Sequence, residues 1–561
     1  MLDLDTRWQL HPRVALRPEP FGALLYHFGT RKLSFLKSPR IVEIVRSLPE
    51  HDSARAALRA AGVPEESAEP YLKALTQLAD SDMIVGAPAA SAVVSERQRA
   101  NNGHSRARAR AGAESQRGAG MSAGQRGSAA VARDGVDRQR GAVGSGASPS
   151  AGVAPHSDRA VRLVDRFESG LAAPICLTWE LTYACNLSCV HCLSSSGRRD
   201  PRELSTEQCK ALIDEFERMQ VFYVNIGGGE PTVRPDFWEL VDYATAHHVG
   251  VKFSTNGVRI TPEIAARLAA SDYVDVQVSL DGADAAVNDA VRGPGSYDMA
   301  IRALENLAAA GFRDAKLSVV ATRHNIGQLD QFRAIADRYG ATLRLTRLRP
   351  SGRGADVWDE LHPTADQQRV LYDWLLRNGT GVLTGDSFFH LSAFGQALPG
   401  LNMCGAGRVV CLVDPVGDVY ACPFAIHDRF RAGNVVTDGG FGAVWRSSEL
   451  FAELREPSGG GACASCSHYD ACRGGCMAAK FFTGLPADGP DPECVQGYGE
   501  AALADTARMI PRSSVDHSRR AAPRASGHRT GPVPLTLSAT RPAGFTPERR
   551  PGRACDESPL A

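Results

Sequence analysis

Ile175-Cys176-Leu177-Thr178-Trp179-Glu180-Leu181 is a largely apolar run of strand length, and it leads into Cys185-Asn186-Leu187-Ser188-Cys189-Val190-His191-Cys192. Three thiolates within eight residues of loop can converge on one metal centre. A four-iron, four-sulfur cluster has four irons, so three cysteines leave one iron open to a substrate or cofactor. A zinc site completed by His191 or a distant fourth ligand would use the same residues. The segments that follow weigh between the two.

Downstream, strand-like and helix-like patterns alternate. The strand candidates after Ile175–Leu181 are Val221–Ile226, Val251–Ser254, Val274–Leu280, Leu317–Thr322 and Leu343–Leu348. Helical spacing occupies the intervals, over Thr206–Met219, Phe237–His247, Pro262–Ala270, Met299–Ala310 and Ile326–Tyr339. Such βα repeats predict an α/β fold, a parallel sheet with right-handed crossovers curled into a partial (β/α)6 barrel. Chemistry in such folds sits at the C-terminal strand ends, where the polar motifs of this chain occur. Gly227-Gly228-Gly229-Glu230-Pro231 follows the second strand, its glycines letting a ligand approach the main chain and its glutamate supporting the turn. Ser254-Thr255-Asn256-Gly257 follows the third and Ser279-Leu280-Asp281-Gly282 the fourth. Arg292 comes next, a candidate for a ligand carboxylate or a surface arginine.

The three cysteines, the Gly-Gly-Gly-Glu-Pro turn and the Ser-Leu-Asp-Gly strand end together resemble the radical S-adenosylmethionine superfamily over about residues 175–350. The resemblance implies that Cys185, Cys189 and Cys192 hold a 4Fe-4S cluster whose open iron is chelated by the methionine part of S-adenosylmethionine. It implies cofactor contacts from Gly227, Gly228, Gly229, Glu230, Pro231, Ser254, Asn256, Ser279, Asp281 and Arg292. One-electron reduction would then yield a 5′-deoxyadenosyl radical that abstracts hydrogen from unactivated carbon.

Of 14 cysteines, eight more lie in one C-terminal group: Cys404, Cys411, Cys422, Cys463, Cys466, Cys472, Cys476 and Cys494. Eight cysteines suit two further four-cysteine clusters, or two structural zinc sites. Their spacing, including the Gly-x4-Cys element at Gly417–Cys422, resembles the SPASM extension of peptide-modifying radical enzymes. That resemblance implies one auxiliary cluster on Cys404, Cys411, Cys422 and Cys476 and another on Cys463, Cys466, Cys472 and Cys494, making three 4Fe-4S clusters in all. Cys176 and Cys209 are expected to be core thiols and Cys555 a tail thiol.

No aromatic residue occurs between Tyr71 and Phe167, and the stretch is rich in Ala, Gly, Ser and Arg. Such a segment cannot bury enough apolar surface to offset its ordering entropy. The expected organisation is therefore a small domain over 1–86, a disordered linker over 87–164, the barrel over 165–355, the cysteine-rich extension over 356–505 and a disordered tail over 506–561. In the first region, strands near Val14–Leu16, Ala23–Tyr26 and Lys32–Leu36 with three helices predict a small α+β, winged-helix-like domain. Lys plus Arg and Asp plus Glu are both 63, which removes a global charge argument for nucleic acid or an anionic membrane. No signal-peptide pattern opens the chain and no long apolar run spans a membrane, so a cytoplasmic protein is expected.

Trp8-Gln9-Leu10-His11-Pro12 and Leu16-Arg17-Pro18-Glu19-Pro20-Phe21-Gly22-Ala23-Leu24 resemble the precursor-binding chaperone of the mycofactocin pathway. Trp179-Glu180-Leu181-Thr182-Tyr183-Ala184-Cys185 and Arg349-Pro350-Ser351-Gly352-Arg353-Gly354 resemble the mycofactocin radical maturases, here fused to that chaperone. The implied partners are a ribosomal precursor peptide ending in Val-Tyr and an electron donor such as a flavodoxin or ferredoxin. The implied reaction decarboxylates the terminal tyrosine oxidatively and then joins it to the valine through a carbon–carbon bond, giving a lactam. Pro423 after Cys422 counts against sulfatase maturation, which uses an aspartate there. A thioether-forming peptide maturase and a non-catalytic peptide-binding metalloprotein are the alternatives.

Overall fold

The computed structural model describes residues 3, 5–86, 170–312, 315–379, 381–384, 388–396, 398, 404–455 and 461–509. The linker expected over 87–164, the tail beyond residue 509 with Cys555, and the Cys176 side chain lie outside the described residues.

Strands β1 (Trp8–Leu10), β2 (Val14–Glu19), β3 (Gly22–His27), β4 (Leu33–Leu36) and β5 (Ile84–Gly86) belong to the N-terminal module. Each barrel strand lies within two residues of its expected start: β6 (Cys176–Thr182), β7 (Tyr223–Gly228), β8 (Gly250–Thr255), β9 (Val274–Ser279), β10 (Lys316–Ala321) and β11 (Thr342–Arg347). They are joined in register, all parallel, with short β12 (Val382–Leu383) beyond β11. One face of each strand buries apolar side chains such as Trp179, Ile226, Phe253, Val276 and Val319 under the helices. The alternate positions, among them Thr178, Asn225, Lys252, Gln277 and Arg344, line an internal cavity instead. The sheet continues past β6 through β13 (Val410–Val413), β14 (Asp418–Tyr420) and β15 (Arg431–Asn434). The cysteine-rich extension thus shares a sheet with the barrel, β13 parallel to β6 from Val410 opposite Cys176.

The helices start where their caps dictate. Ser205 and Gln208 form a reciprocal capping box at the helix Thr206–Arg218. Within the barrel, periodicity missed the helix Ala285–Arg292, because eight residues make barely two turns, too short for a repeat to show. Its N-cap is Asp284, and it delivers Arg292 to the strand ends.

In the N-terminal module β2, β3 and β4 form an antiparallel sheet, with helices Pro39–Ser47, Ala54–Ala60 and Glu69–Asp80 behind it. The expected three strands and three helices are joined by an unexpected ribbon, in which β1 pairs with β5 across most of the module. The other face of the module's sheet rests on the barrel. Tyr26 stacks on Phe222 at 5.4 Å, and Phe28 meets Tyr273 at 4.8 Å. Arg17, 1% exposed, pairs with Glu19 at 2.7 Å and donates to the carbonyl oxygens of Ala173, Pro174 and Gln220. Glu19 in turn accepts from the backbone N–H of Ala172 at 2.9 Å. These barrel residues lie beside the starts of β6 to β9, so the module docks at the end of the barrel opposite the strand ends that carry the polar motifs.

Removing one member of a buried, hydrogen-bonded ion pair costs about 3–5 kcal/mol. Cleavage within 87–169 is therefore expected to leave the two halves associated, and Arg17→Ala to separate them on size-exclusion chromatography. Co-elution of the cleaved Arg17→Ala halves would show that the remaining contacts suffice, among them the aromatic pairs, Arg13 with Asp272 at 2.7 Å and Arg31 donating to the Val274 carbonyl at 3.0 Å.

Candidate functional site

The cysteine loop has no regular structure of its own and is held from three sides. Its entry is pinned by backbone bonds between Tyr183, Cys185 and Gly197. Val190 N–H donates to the carbonyl of Val291, on the helix Ala285–Arg292. From below, the segment Arg349–Gly354 clamps it. Arg353 donates to the carbonyls of Cys189 and Ser196, both at 2.9 Å, and its own N–H bonds the Cys192 carbonyl. Gly352 has φ +56°, and a Cβ there would lie 2.3 Å from the Leu193 oxygen. The arginines of this segment are thereby assigned from structure: Arg353 holds the loop, Arg349 lies over the Phe424 ring at 4.1 Å, and Arg347 is bound by two buried carboxylates.

The glycine turn crosses the same loop. Gly229 N–H donates to Thr182 at 2.7 Å and Glu230 N–H to Ala184 at 2.8 Å. A Cβ on Gly229 would stand 1.9 Å from the Ala184 oxygen, so no side chain fits. Glu230 is buried, and its oxygens accept from Thr232, from Thr255 Oγ1 at 2.8 Å and from Asn256 N–H at 2.7 Å. It therefore shapes the turn, and Pro231 begins the short 3-10 turn after it. Asn256 reaches the cysteine loop through Asn186 at 2.8 Å, and Ser254 accepts from Gln277 at 2.9 Å.

Asp281 is fully buried. It hydrogen-bonds His191 Nε2 and ion-pairs with Arg292 Nε, each at 2.7 Å, and accepts from Val320 N–H. Burial alone would raise its pKa, but the charges of Arg292 and His191 outweigh it and hold the carboxyl well below the usual range. Sequence placed Asp281 and Arg292 in the cofactor shell; here they form one buried pair behind Cys189, with Arg292 reaching the cavity and Asp281 supporting it.

A cavity of about 660 Å³ opens at these strand ends. It is lined by Cys185, Cys189 and Cys192, by Gly227–Glu230, and by Ser254, Asn256, Ser279 and Arg292. Cys404, Cys422 and Cys476 line it as well, with Pro423 and Phe424. Cys411 is buried on β13 next to Val410, which also faces the cavity. Cys463, Cys466, Cys472 and Cys494 form a separate group: burial first, and then the neighbouring cysteines, push the Cys463 and Cys472 thiols up. Cys209 is a buried thiol between Leu204 and Arg234.

The donor sets fit iron–sulfur clusters better than zinc. All the described cysteines are free thiols. Sulfurs around one zinc ion stand about 4 Å apart, from Zn–S bonds of about 2.3 Å. Among the described residues no three cysteine sulfurs lie within 4.8 Å of one another, whereas the separate irons of a larger cluster take ligands more widely spaced. Burial pushes the Cys185 thiol up to about 12, so iron must displace the proton. One tight group is found elsewhere, His11, His27 and Asp82 in the N-terminal module. Both histidines accept backbone N–H at Nδ1, from Arg13, Gly29 and Thr30, which leaves the proton on Nε2 and no lone pair for a metal there.

Sequence reasoning passed over Glu180, which lines the cavity on β6 with Oε2 buried and without a hydrogen-bond partner. Burial, with Asp414 nearby, pushes its pKa up to about 8. Its alternate-residue position on β6, facing the same way as Thr178, was the available signal.

The family comparisons follow this division. Residues 7–85 match the peptide chaperone MftB family, 179–332 the radical SAM superfamily, and 404–468 the SPASM iron-sulfur cluster-binding domain. The chain is 74% identical over 401 residues to mycofactocin maturase MftC of Mycolicibacterium smegmatis, covering 71% of this chain and 98% of that protein. It is 61% identical over 83 residues to peptide chaperone MftB of the same organism, covering 15% of this chain and 81% of that one. The fold resembles the crystal structure of Streptococcus suis SuiB bound to S-adenosylmethionine, with a TM-score of 0.56 and 15% identity over 87% of this chain and 99% of that one.

Two outcomes follow. Gly229→Ala, whose Cβ would displace the Ala184 carbonyl beside Cys185, is expected to abolish S-adenosylmethionine binding in equilibrium dialysis; undiminished binding would remove the turn from the cofactor site. Glu180 has a folded pKa of about 8 against 4.5 unfolded, so the unfolded chain loses its proton first and stability falls as pH rises between those values. Glu180→Gln is expected to flatten that fall, read as the melting temperature from pH 5 to 8.

Proposed function

Because the chain belongs to the mycofactocin maturase family, radical S-adenosylmethionine peptide maturases with a SPASM iron–sulfur domain, we propose that it modifies a ribosomally made precursor ending in Val-Tyr. The terminal tyrosine loses its carboxyl group oxidatively, and a carbon–carbon bond to the penultimate valine then closes a lactam. The observation that carries this reading is the single cavity walled on one side by Cys185, Cys189 and Cys192 and on the other by Cys404, Cys422 and Cys476.

Three 4Fe-4S clusters would be held: one by the loop cysteines, one by Cys404, Cys411, Cys422 and Cys476, and one by Cys463, Cys466, Cys472 and Cys494. With S-adenosylmethionine bound and an electron from a flavodoxin or ferredoxin, the first site supplies the hydrogen-abstracting radical chemistry of its superfamily. The residues of the chain do the rest. The main chain of Gly227–Gly229 offers room for the cofactor's polar end, with Ser254, Asn256, Ser279 and Arg292 around the same mouth. Arg292 brings a positive charge that suits a carboxylate, and Asp281 keeps it aimed. Decarboxylation releases one electron with the carbon dioxide, and the wall bearing Cys404, Cys422 and Cys476 provides the ligands for an acceptor beside the substrate. The N-terminal module, matched to the peptide chaperone family, supports capture of the precursor by this same chain. No described helix is long and apolar enough to cross a membrane, and we place the reaction in the cytoplasm.

The test is anaerobic. Reconstituted protein, reductant, S-adenosylmethionine and a peptide ending in Val-Tyr are expected to give 5′-deoxyadenosine and a peptide lighter by its terminal carboxyl group, followed by an isomeric ring-closed product. Deoxyadenosine with an unchanged peptide would redirect the reading to thioether formation. No deoxyadenosine from a chain at full iron occupancy would overturn the catalytic reading.

A further inference from the structure

Between the two C-terminal cysteine groups lies a charged residue that neither the motif nor the cavity explains. Asp491 is 1% exposed and three residues before Cys494. Its Oδ2 accepts the backbone N–H of Cys476 at 2.7 Å, and its own carbonyl accepts the N–H of Cys494 at 2.9 Å. A single residue thus grips one cysteine of each group. The approach is close enough that Gly475, at φ +82°, can carry no side chain: its Cβ would lie 2.2 Å from that of Asp491.

The charge on Asp491 is held by Arg347, at the end of β11. Nη1 and Nη2 of Arg347 meet the two carboxylate oxygens at 2.9 and 2.5 Å, the planar fork that fits a carboxylate, while its Nε reaches Glu493. Paired at both oxygens with a guanidinium, Asp491 is held here as a carboxylate. The pair is built from segments 144 residues apart. It joins the strand whose Arg344 and Thr346 line the cavity to both cysteine groups.

A fixed negative charge beside an iron–sulfur centre stabilises its oxidised form. Hydrogen bonds to the sulfurs do the opposite, and Asp491 diverts the Cys476 N–H from that use. We propose that Asp491 is a positioning residue shared by the two auxiliary centres, fixing Cys476 against Cys494 and lowering the reduction potential of the centres these cysteines hold, with Arg347 keeping it in place. The inference rests on the reading that the eight C-terminal cysteines carry clusters.

The experiment uses the full chain with Cys185, Cys189 and Cys192 replaced by Ala, so that only auxiliary iron remains. Iron per chain and an EPR-monitored redox titration are measured. A parent without auxiliary iron fails the underlying cluster reading before any variant is made. With iron present, Asp491→Asn at the parent's iron content is expected to raise the midpoint of at least one centre. Arg347→Lys, which keeps the charge, is expected to leave the midpoints unchanged. An unshifted Asp491→Asn midpoint overturns the proposal, as does an equal shift in Arg347→Lys. If the amide group beside Arg347 costs D491N its iron, Asp491→Ser removes the same charge while leaving an oxygen for the Cys476 N–H, and the same upward shift is required. Iron loss from both variants overturns the electrostatic assignment.

Discussion

The site depends on one buried carboxylate. Asp281 lies two residues past the end of β9 and holds four pieces of chain together: the cysteine loop through His191, the helix Ala285–Arg292 through Arg292, β10 through Val320 N–H, and Asn325 through its own carbonyl. Leaving any of these charges unpaired in the interior would cost several kcal/mol, so the segments are locked to one another. That lock sets where Cys189 sits, because Arg292 and Val291 lie directly against the cysteine loop. The arginine clamp at Arg353 repeats the device from the other side, neutralising carbonyls that an irregular loop would otherwise leave unpaired.

The parallel sheet separates two tasks along its strands. At the strand starts, apolar and aromatic surface with one buried ion pair receives the N-terminal module. At the strand ends, loops free of regular hydrogen bonding supply the cysteines and glycines around the cavity. The cysteine-rich extension reaches that cavity because β13 continues the sheet beside β6 and leads, after β14, to Cys422 on the rim, while Cys411 lies buried on β13 itself. Family membership therefore has a structural basis: the chaperone-like part and the maturase-like part form one docked unit among the described residues, although relatives match them as two proteins.

Much of this was legible in the amino-acid order. Strand starts agreed to within a residue or two because buried parallel strands need continuous apolar runs. Cys185, Cys189 and Cys192 could be read as one set because they fall within eight residues, whereas the division of the eight C-terminal cysteines came from a family resemblance and not from spacing; the glycine turn was legible because a Cβ at Gly229 cannot coexist with the Ala184 carbonyl. The short helix Ala285–Arg292 and the β1–β5 ribbon were not legible. The first is barely two turns long, too short for a period to show, and the second pairs strands of three residues from opposite ends of the module.

By itself the sequence determined the fold class, the chemistry of the ligands and the places where a backbone must bend, since these depend on residue type and on neighbours within a few positions. Tertiary structure alone decided which charges meet. His191 finds Asp281 across 90 residues, Arg347 finds Asp491 across 144 and Arg17 finds Pro174 across 157. The physical reason is that a buried charge must have a partner, but any segment brought near by the sheet can supply it. Arginines that looked equivalent in the chain thereby became a loop clamp, an ion pair beside the C-terminal cysteines and a domain anchor.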